Sequence, residues 1–227
     1  MDNQTRQTLL TATQPFLDGD NWQAVINLWQ PYVDQGDVDA QAYLAYLLLW
    51  CFSAPKRIDD KMRKYLRTAA EAGHADAMYW MTKRSLVEGE EADKLLLRAG
   101  ELGSRGSQRT LGALYATGDW SGPKDSTRGV YWYKLAAERG HPDAAYNLGF
   151  MYVLGQGTET KVNEGLHWLN FSAEQGYRNS MRLLSDLYRN GYYGVTQSAE
   201  LAERWQERFD STEEPAGVFL HDLEGSL

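Results

Sequence analysis

The chain has 227 residues, 43% hydrophobic and 24% charged, the profile of a folded protein long enough for one elongated domain or two compact ones. Its formal net charge of -8 argues against nucleic acid, whose binding rests on Lys and Arg neutralising phosphates, and against an anionic membrane surface. Cys51 is the only cysteine, so no internal disulfide can form, and the chain fits a reducing compartment.

Residues 1–36 read as a helical N-terminal cap. They hold no basic stretch leading into an apolar core, so no secretory signal is expected. The segment ends on Gly36, the first of a series: Gly36, Gly73, Gly103, Gly140 and Gly176 follow one another at 37, 30, 37 and 36 residues. Glycine just past a helix end is what a left-handed cap requires. The spacing therefore predicts helix pairs over 37–73, 74–103, 104–140, 141–176 and 177–209, followed by an acidic tail over 210–227 that is expected to cap the last helix. The longest apolar run, Ala42 to Phe52, is about half the roughly 20 residues that a membrane span needs, so a buried helix is expected there and no membrane insertion.

Within each unit the columns agree in register. A small residue opens the first helix (Ala40, Ala77, Ser107, Ala144, Ser180), and four residues later comes a large apolar one (Leu44, Met81, Leu111, Leu148, Leu184). A second small residue follows at once (Ala45, Thr82, Gly112, Gly149, Ser185), which lets the paired helix cross closely with a knob in the gap. The second helix is expected to centre on Leu28, Tyr65, Leu95, Trp132, Trp168 and Trp205, with cap residues such as Asp125 and Ser198 at its start. Glu71, Glu101, Glu138 and Glu174 stand two residues before the closing glycines, and their recurrence predicts that they accept backbone N–H bonds from the next helix. No strand pattern appears. A single pair cannot bury both its faces, so the fold class predicted is all-α, an α/α superhelical solenoid of about five stacked pairs.

The run Ala144, Leu148-Gly149, Tyr152, Gly155-Gln156-Gly157, Trp168 and Ala173-Glu174-Gln175-Gly176 resembles a Sel1-like repeat, a relative of the tetratricopeptide repeat. Leu111-Gly112, Tyr115, Gly118, Asp125, Trp132-Tyr133-Lys134 and Ala136 to Gly140 resemble it equally. The resemblance implies a superhelix whose concave side grips other proteins. Members of the family act as adaptors in bacterial signalling and in eukaryotic protein degradation, and some are immunity proteins against bacterial toxins. With Cys51 alone, the chain departs from the secreted, cysteine-rich branch.

Catalytic constellations are thin. His74 and His141 hold the same place in two repeats, which favours a structural role. Glu164-x-x-His167 has the spacing of half a di-iron ligand set, but the second half is missing. Ser121-x-x-Lys124 has the spacing of a serine acyl-enzyme motif, but Gly122-Pro123 makes it a turn and its partner motifs are absent. No catalytic, cofactor or metal residues are therefore expected, and the chain is read as a non-enzyme.

What remains is a binding surface. By analogy with tetratricopeptide repeats, the first helix of each pair lines the inner face, and subtracting the core columns leaves Tyr46, Tyr79, Lys83, Arg109, Tyr146, Phe150, Arg182 and Asp186 as partner-facing candidates. Tyr and Arg are the residues enriched in binding hot spots. Three aromatics in loops, Trp120, Tyr192 and Tyr193, join them. The expectation is a cytoplasmic interaction module, adaptor or inhibitor, that takes a basic or mixed-charge protein in its groove. The alternative is an immunity protein that neutralises a toxin, and the lesser one a hydrolytic or metal-dependent enzyme.

Overall fold

The computed structural model describes residues 1–17, 21–50, 56–83, 85–119 and 122–213. Among them lie twelve α helices and one short 3-10 turn, and no strand, so the all-α expectation holds. The contacts divide the chain into two compact units, one over residues 1–107 and one starting at Gln108.

The first unit holds α1 (Asn3–Leu17), α2 (Trp22–Asp34), α3 (Val38–Trp50), α4 (Lys56–Glu71), α5 (Ala75–Lys83) and α6 (Gly89–Glu101). Its core is aromatic. Trp29 and Trp80 are fully buried, and Tyr43 packs between them at ring distances of 6.0 and 5.8 Å. A buried indole N–H needs an acceptor, and Trp29 Nε1 donates to Thr13 Oγ1 at 2.9 Å. The predicted run from Ala42 is α3, buried on nearly every side.

The second unit holds α7 (Arg105–Thr117, from Gln108), α8 (Ser126–Glu138), α9 (Pro142–Leu154), α10 (Val162–Glu174), α11 (Arg178–Asn190) and α12 (Ala199–Ser211), with the 3-10 turn Tyr192–Gly194 between the last two. The opening small column and the large column of all five pairs are buried, with Leu111, Leu148 and Leu184 at 0% exposure. The second small column is where helices cross. A Cβ on Gly149 would stand 2.7 Å from the Gly165 carbonyl oxygen and 2.8 Å from Leu169. In the last pair Ser185 Oγ donates to the Ala202 carbonyl at 2.9 Å, so the hydroxyl fills the same crossing and finds its own partner.

Trp205 is buried as the sequence reading expected, and Trp132 is buried beside Tyr133, but in the other second helices the deep knob sits one residue later than that reading placed it. Tyr133 lies against Gly112 and Leu169 against Gly149, while Leu28, Tyr65, Leu95 and Trp168 are only half-buried. Trp29, Leu66, Leu96 and Leu169 hold the deep position instead. Successive helix residues differ by about 100° around the axis, so both positions face apolar surroundings and only one meets the small residue across the crossing.

The closing glycines behave as predicted. Gly140 and Gly176 have φ of +85° and +86°, and His141 N–H reaches back to the Ala136 carbonyl at 3.0 Å. The recurring Glu does not cap the next helix. That task falls to the residue after the glycine: Asp37 Oδ1, His74 Nδ1, Ser104 Oγ and His141 Nδ1 accept from the N–H three residues on, at 2.9, 3.1, 3.4 and 3.4 Å. Glu101 and Glu138 are exposed and pair with Arg98 and Lys134 within their own helices. The structural reading of the two histidines is thereby explained: an unprotonated imidazole nitrogen is an acceptor at a helix start. Burial pushes the His74 pKa below its ordinary value, against the pull of Asp76 and Asp39, which keeps that acceptor available.

Candidate interaction face

In the second unit, α7, α9 and α11 are the first helices of successive pairs, and the candidates Arg109, Tyr146 and Phe150 are linked through Asp143 and Tyr177. Asp143, in the first turn of α9, is the centre. Arg109 of α7 donates through Nε to Asp143 Oδ2 at 2.5 Å and adds a second contact from its terminal nitrogen. Asn147 Nδ2 donates to Asp143 Oδ1 at 2.7 Å, and the Tyr177 hydroxyl, at the start of α11, reaches the same oxygen at 3.3 Å. One carboxylate thus gathers groups 34 residues before it and 34 after it, from three consecutive repeats. Beneath the pair, burial pushes the Tyr133 phenol up to about 12, and Tyr133 is neutral at physiological pH.

Beside this network lies an aromatic shelf. Tyr146 and Phe150, one turn apart on α9, stack with centroids 6.3 Å apart and rings only 10° from parallel. Tyr177 leans on Tyr146 at 5.4 Å and 49°. Both α9 rings are half-buried, and Tyr146 packs against the core cluster of α10, α11 and α12. Burial also raises the Tyr146 phenol, against the opposing charge of Arg182. Arg182 and Asp186 are exposed on α11, and Asp186 pairs with Arg189 at 3.8 Å.

Two candidates in the first unit are corrected. Tyr46 is 3% exposed, held against Trp80 at 4.5 Å, and Tyr79 is 7% exposed. Both are core residues. Tyr46 is covered because Trp80 of the next pair folds over it, and Tyr79 because Gly106 leaves room for its ring, 2.3 Å from where a Cβ would be. Lys83 is exposed at the end of α5. Tyr192 and Tyr193 are 55% and 54% exposed in the turn after α11, and Tyr193 adopts a left-handed φ of +54°. Trp120 and Ser121 lie outside the described residues, as do Cys51 and the tail from residue 214. The sequence reading missed Asp143 as the organising group, which only the Arg–Asp–Tyr spacing across neighbouring repeats could have signalled. It also missed Tyr131, 56% exposed on α8 against the edge of Trp132.

His167 and Glu164 stand exposed on α10, and among the described residues no three His, Cys, Asp or Glu side chains converge as a metal would need. No helix among them is long and apolar enough to cross a membrane.

Comparison with known proteins agrees with this architecture. The Sel1 repeat model matches residues 63–74, 107–141, 142–177 and 179–208. A Sel1 repeat protein from Oxalobacter formigenes superimposes with a TM-score of 0.75 at 25% identity, over 91% of this chain and 88% of that one. An immunity protein from Pseudomonas aeruginosa shares the fold alone, with a TM-score of 0.61 at 19% identity over 100% and 85% of the two chains. Among curated proteins, the chitin synthase regulator SKT5 of Saccharomyces cerevisiae is 28% identical over 139 residues, 60% of this chain. The chain spans only a fifth of that relative's length. The helix pairs, their closing glycines and these matches agree: the chain belongs to the Sel1 repeat proteins.

Proposed function

We propose that the chain is a non-enzymatic interaction module that binds a protein partner on the face formed by α7, α9 and α11 and acts by occupying it, as an adaptor or an inhibitor. The observation that carries this reading is the Tyr146–Phe150 shelf, a pair of parallel, half-buried rings, with Arg182 and Asp186 exposed on the next first helix, α11. Aromatic rings and arginines are the residues enriched in binding hot spots. The regulator role named for the yeast relative is in keeping with it.

The test is affinity purification of the partner with the tagged chain, followed by titration against Tyr146→Ala/Phe150→Ala. Affinity should fall on the order of tenfold or more, the loss of a hot spot, with little change in melting temperature. A large drop in melting temperature with affinity intact would make the two rings core residues and sink the reading.

Neutralisation of a toxin is the second reading, favoured by the net charge of -8, which suits a basic target, and by the fold shared with an immunity protein. Rescue of cells poisoned by a toxin encoded beside this chain separates it from a general adaptor.

A further inference from the structure

Asp143, Tyr146, Asn147 and Phe150 fall at i, i+3, i+4 and i+7 of α9, so they share one stripe of that helix. The Asn147 amide is held in one orientation. Its Nδ2 donates to the Asp143 carbonyl oxygen at 2.8 Å and to Asp143 Oδ1 at 2.7 Å. The Asn147 Oδ1, on the other side of the amide carbon, is therefore turned away from Asp143, and among the described residues it accepts no hydrogen bond. Asn147 is only half-buried. The ionic groups beside it cancel, because Arg109 is held by Asp143. The Tyr177 hydroxyl shares the carboxylate oxygen that holds Asn147, and the Tyr177 ring rests on Tyr146 at 5.4 Å. An oriented, neutral acceptor thus stands on the same stripe as the two stacked rings.

The chemistry of that acceptor selects its donor. A Lys or Arg side chain finds no net charge here, since Arg109 and Asp143 neutralise each other, and a single amide oxygen would leave most of its N–H groups unsatisfied. A peptide N–H is neutral, has one hydrogen and needs one oxygen. In the interior of a helix or a sheet those hydrogens are already committed, whereas an extended segment presents them free. Resting on the reading of α7, α9 and α11 as the partner face, we propose that this face takes an extended, uncharged segment of the partner. An aromatic or large aliphatic side chain of the segment lies on Tyr146 and Phe150, and a neighbouring backbone N–H donates to Asn147 Oδ1. Asn147 is then the residue that tells an extended chain from a docked helix, and Asp143 holds its amide in position.

The experiment is selection of random dodecapeptides displayed on phage against the full chain. The synthetic consensus peptide is then titrated beside analogues in which one amide at a time is replaced by an ester, which removes a single N–H. The expected consensus holds an aromatic or large aliphatic residue and no fixed charge. One ester analogue should bind about fivefold more weakly, the size of a neutral hydrogen bond. Asn147→Ser lacks the outward oxygen, while its hydroxyl can return to the Asp143 carbonyl. It should weaken the all-amide peptide by a similar factor with an unchanged helical spectrum, and should bind that peptide and the sensitive ester alike, a coupling that a purely structural role of Asn147 would not produce. The ester scan on the native chain stands whether or not the variant folds. No sensitive amide, an ester penalty of the same size in both chains, a peptide that turns helical on binding, an obligatory charged residue in the consensus, or no enrichment above background overturns the proposal. If the selected peptides nonetheless lose affinity for Tyr146→Ala/Phe150→Ala, the face stands and only its extended occupant fails. If they bind that variant undiminished, the face fails with it.

Discussion

His74 shows how one residue type can be fixed by a local hydrogen bond and then carry a pH dependence. Its Nδ1 accepts from Ala77 N–H, its Nε2 lies 3.6 Å from Asp39 Oδ1, and Asp76, Asp39 and Arg6 set the charge around it. Burial outweighs the two carboxylates, so the folded pKa lies below the unfolded value of 6.5. The unfolded chain therefore binds more protons in the window just below pH 6.5. The stabilisation is complete above that pH and is lost as pH falls through the folded pKa. His74→Ser keeps a cap acceptor, as Ser104 does in the next repeat, but cannot titrate. Urea midpoints measured from pH 7.5 down to 5 should fall more steeply for the native chain than for His74→Ser. Parallel slopes would remove His74 from the account.

Two glycines that look alike in the repeat pattern do different work at the level of the helix pair. Gly149 sits where α9 crosses α10, and a Cβ there would collide with backbone at 2.7 Å. Gly176 has nothing within 4 Å but a φ of +86°. Gly149→Ala must push two helices apart and open gaps around Leu169, costing about 3 kcal/mol. Gly176→Ala suffers only the left-handed backbone penalty, about 1 kcal/mol. Equilibrium unfolding in urea ranks them, and a larger loss for Gly176→Ala would contradict the crossing geometry. Both glycines were visible in the sequence as columns, because backbone conformation and close approach each exclude a side chain. The register of the second helix was not visible to the same degree: Trp168 and Leu169 are both apolar, and which of them faces Gly149 depends on the crossing. Tyr46 failed for a related reason. Its column matches that of the half-open Phe150, and only Trp80 of the following pair makes it core.

Within the second unit the pairs lend apolar surface to their neighbours, so stability is set by interfaces as well as by pairs. Leu169 and Ala173 of α10 are fully buried in a cluster with Met181, Leu184 and Leu187 of α11 and Trp205 of α12. A chain ending at Gly176 would expose that side of α10. It should unfold at lower urea, with a loss of about 3 kcal/mol or more, and should bind a hydrophobic dye that the full chain ignores. An unchanged midpoint would mean that the last pair is an appendage. The same dependence explains why the helix pairs were legible in the sequence while the interaction face was not: the columns repeat within one unit, but the Arg109–Asp143–Tyr177 network exists only when three units are in place.

Asp143 behaves as a rivet through three plates. The arginine it grips comes from the plate before and the tyrosine from the plate after, so the helix starts around the ring shelf are tied together by a group that need never touch a ligand. Relatives with the same contact residues can therefore differ in grip through changes at 109, 143 or 177 alone, and the reach of the surface is tuned from behind it.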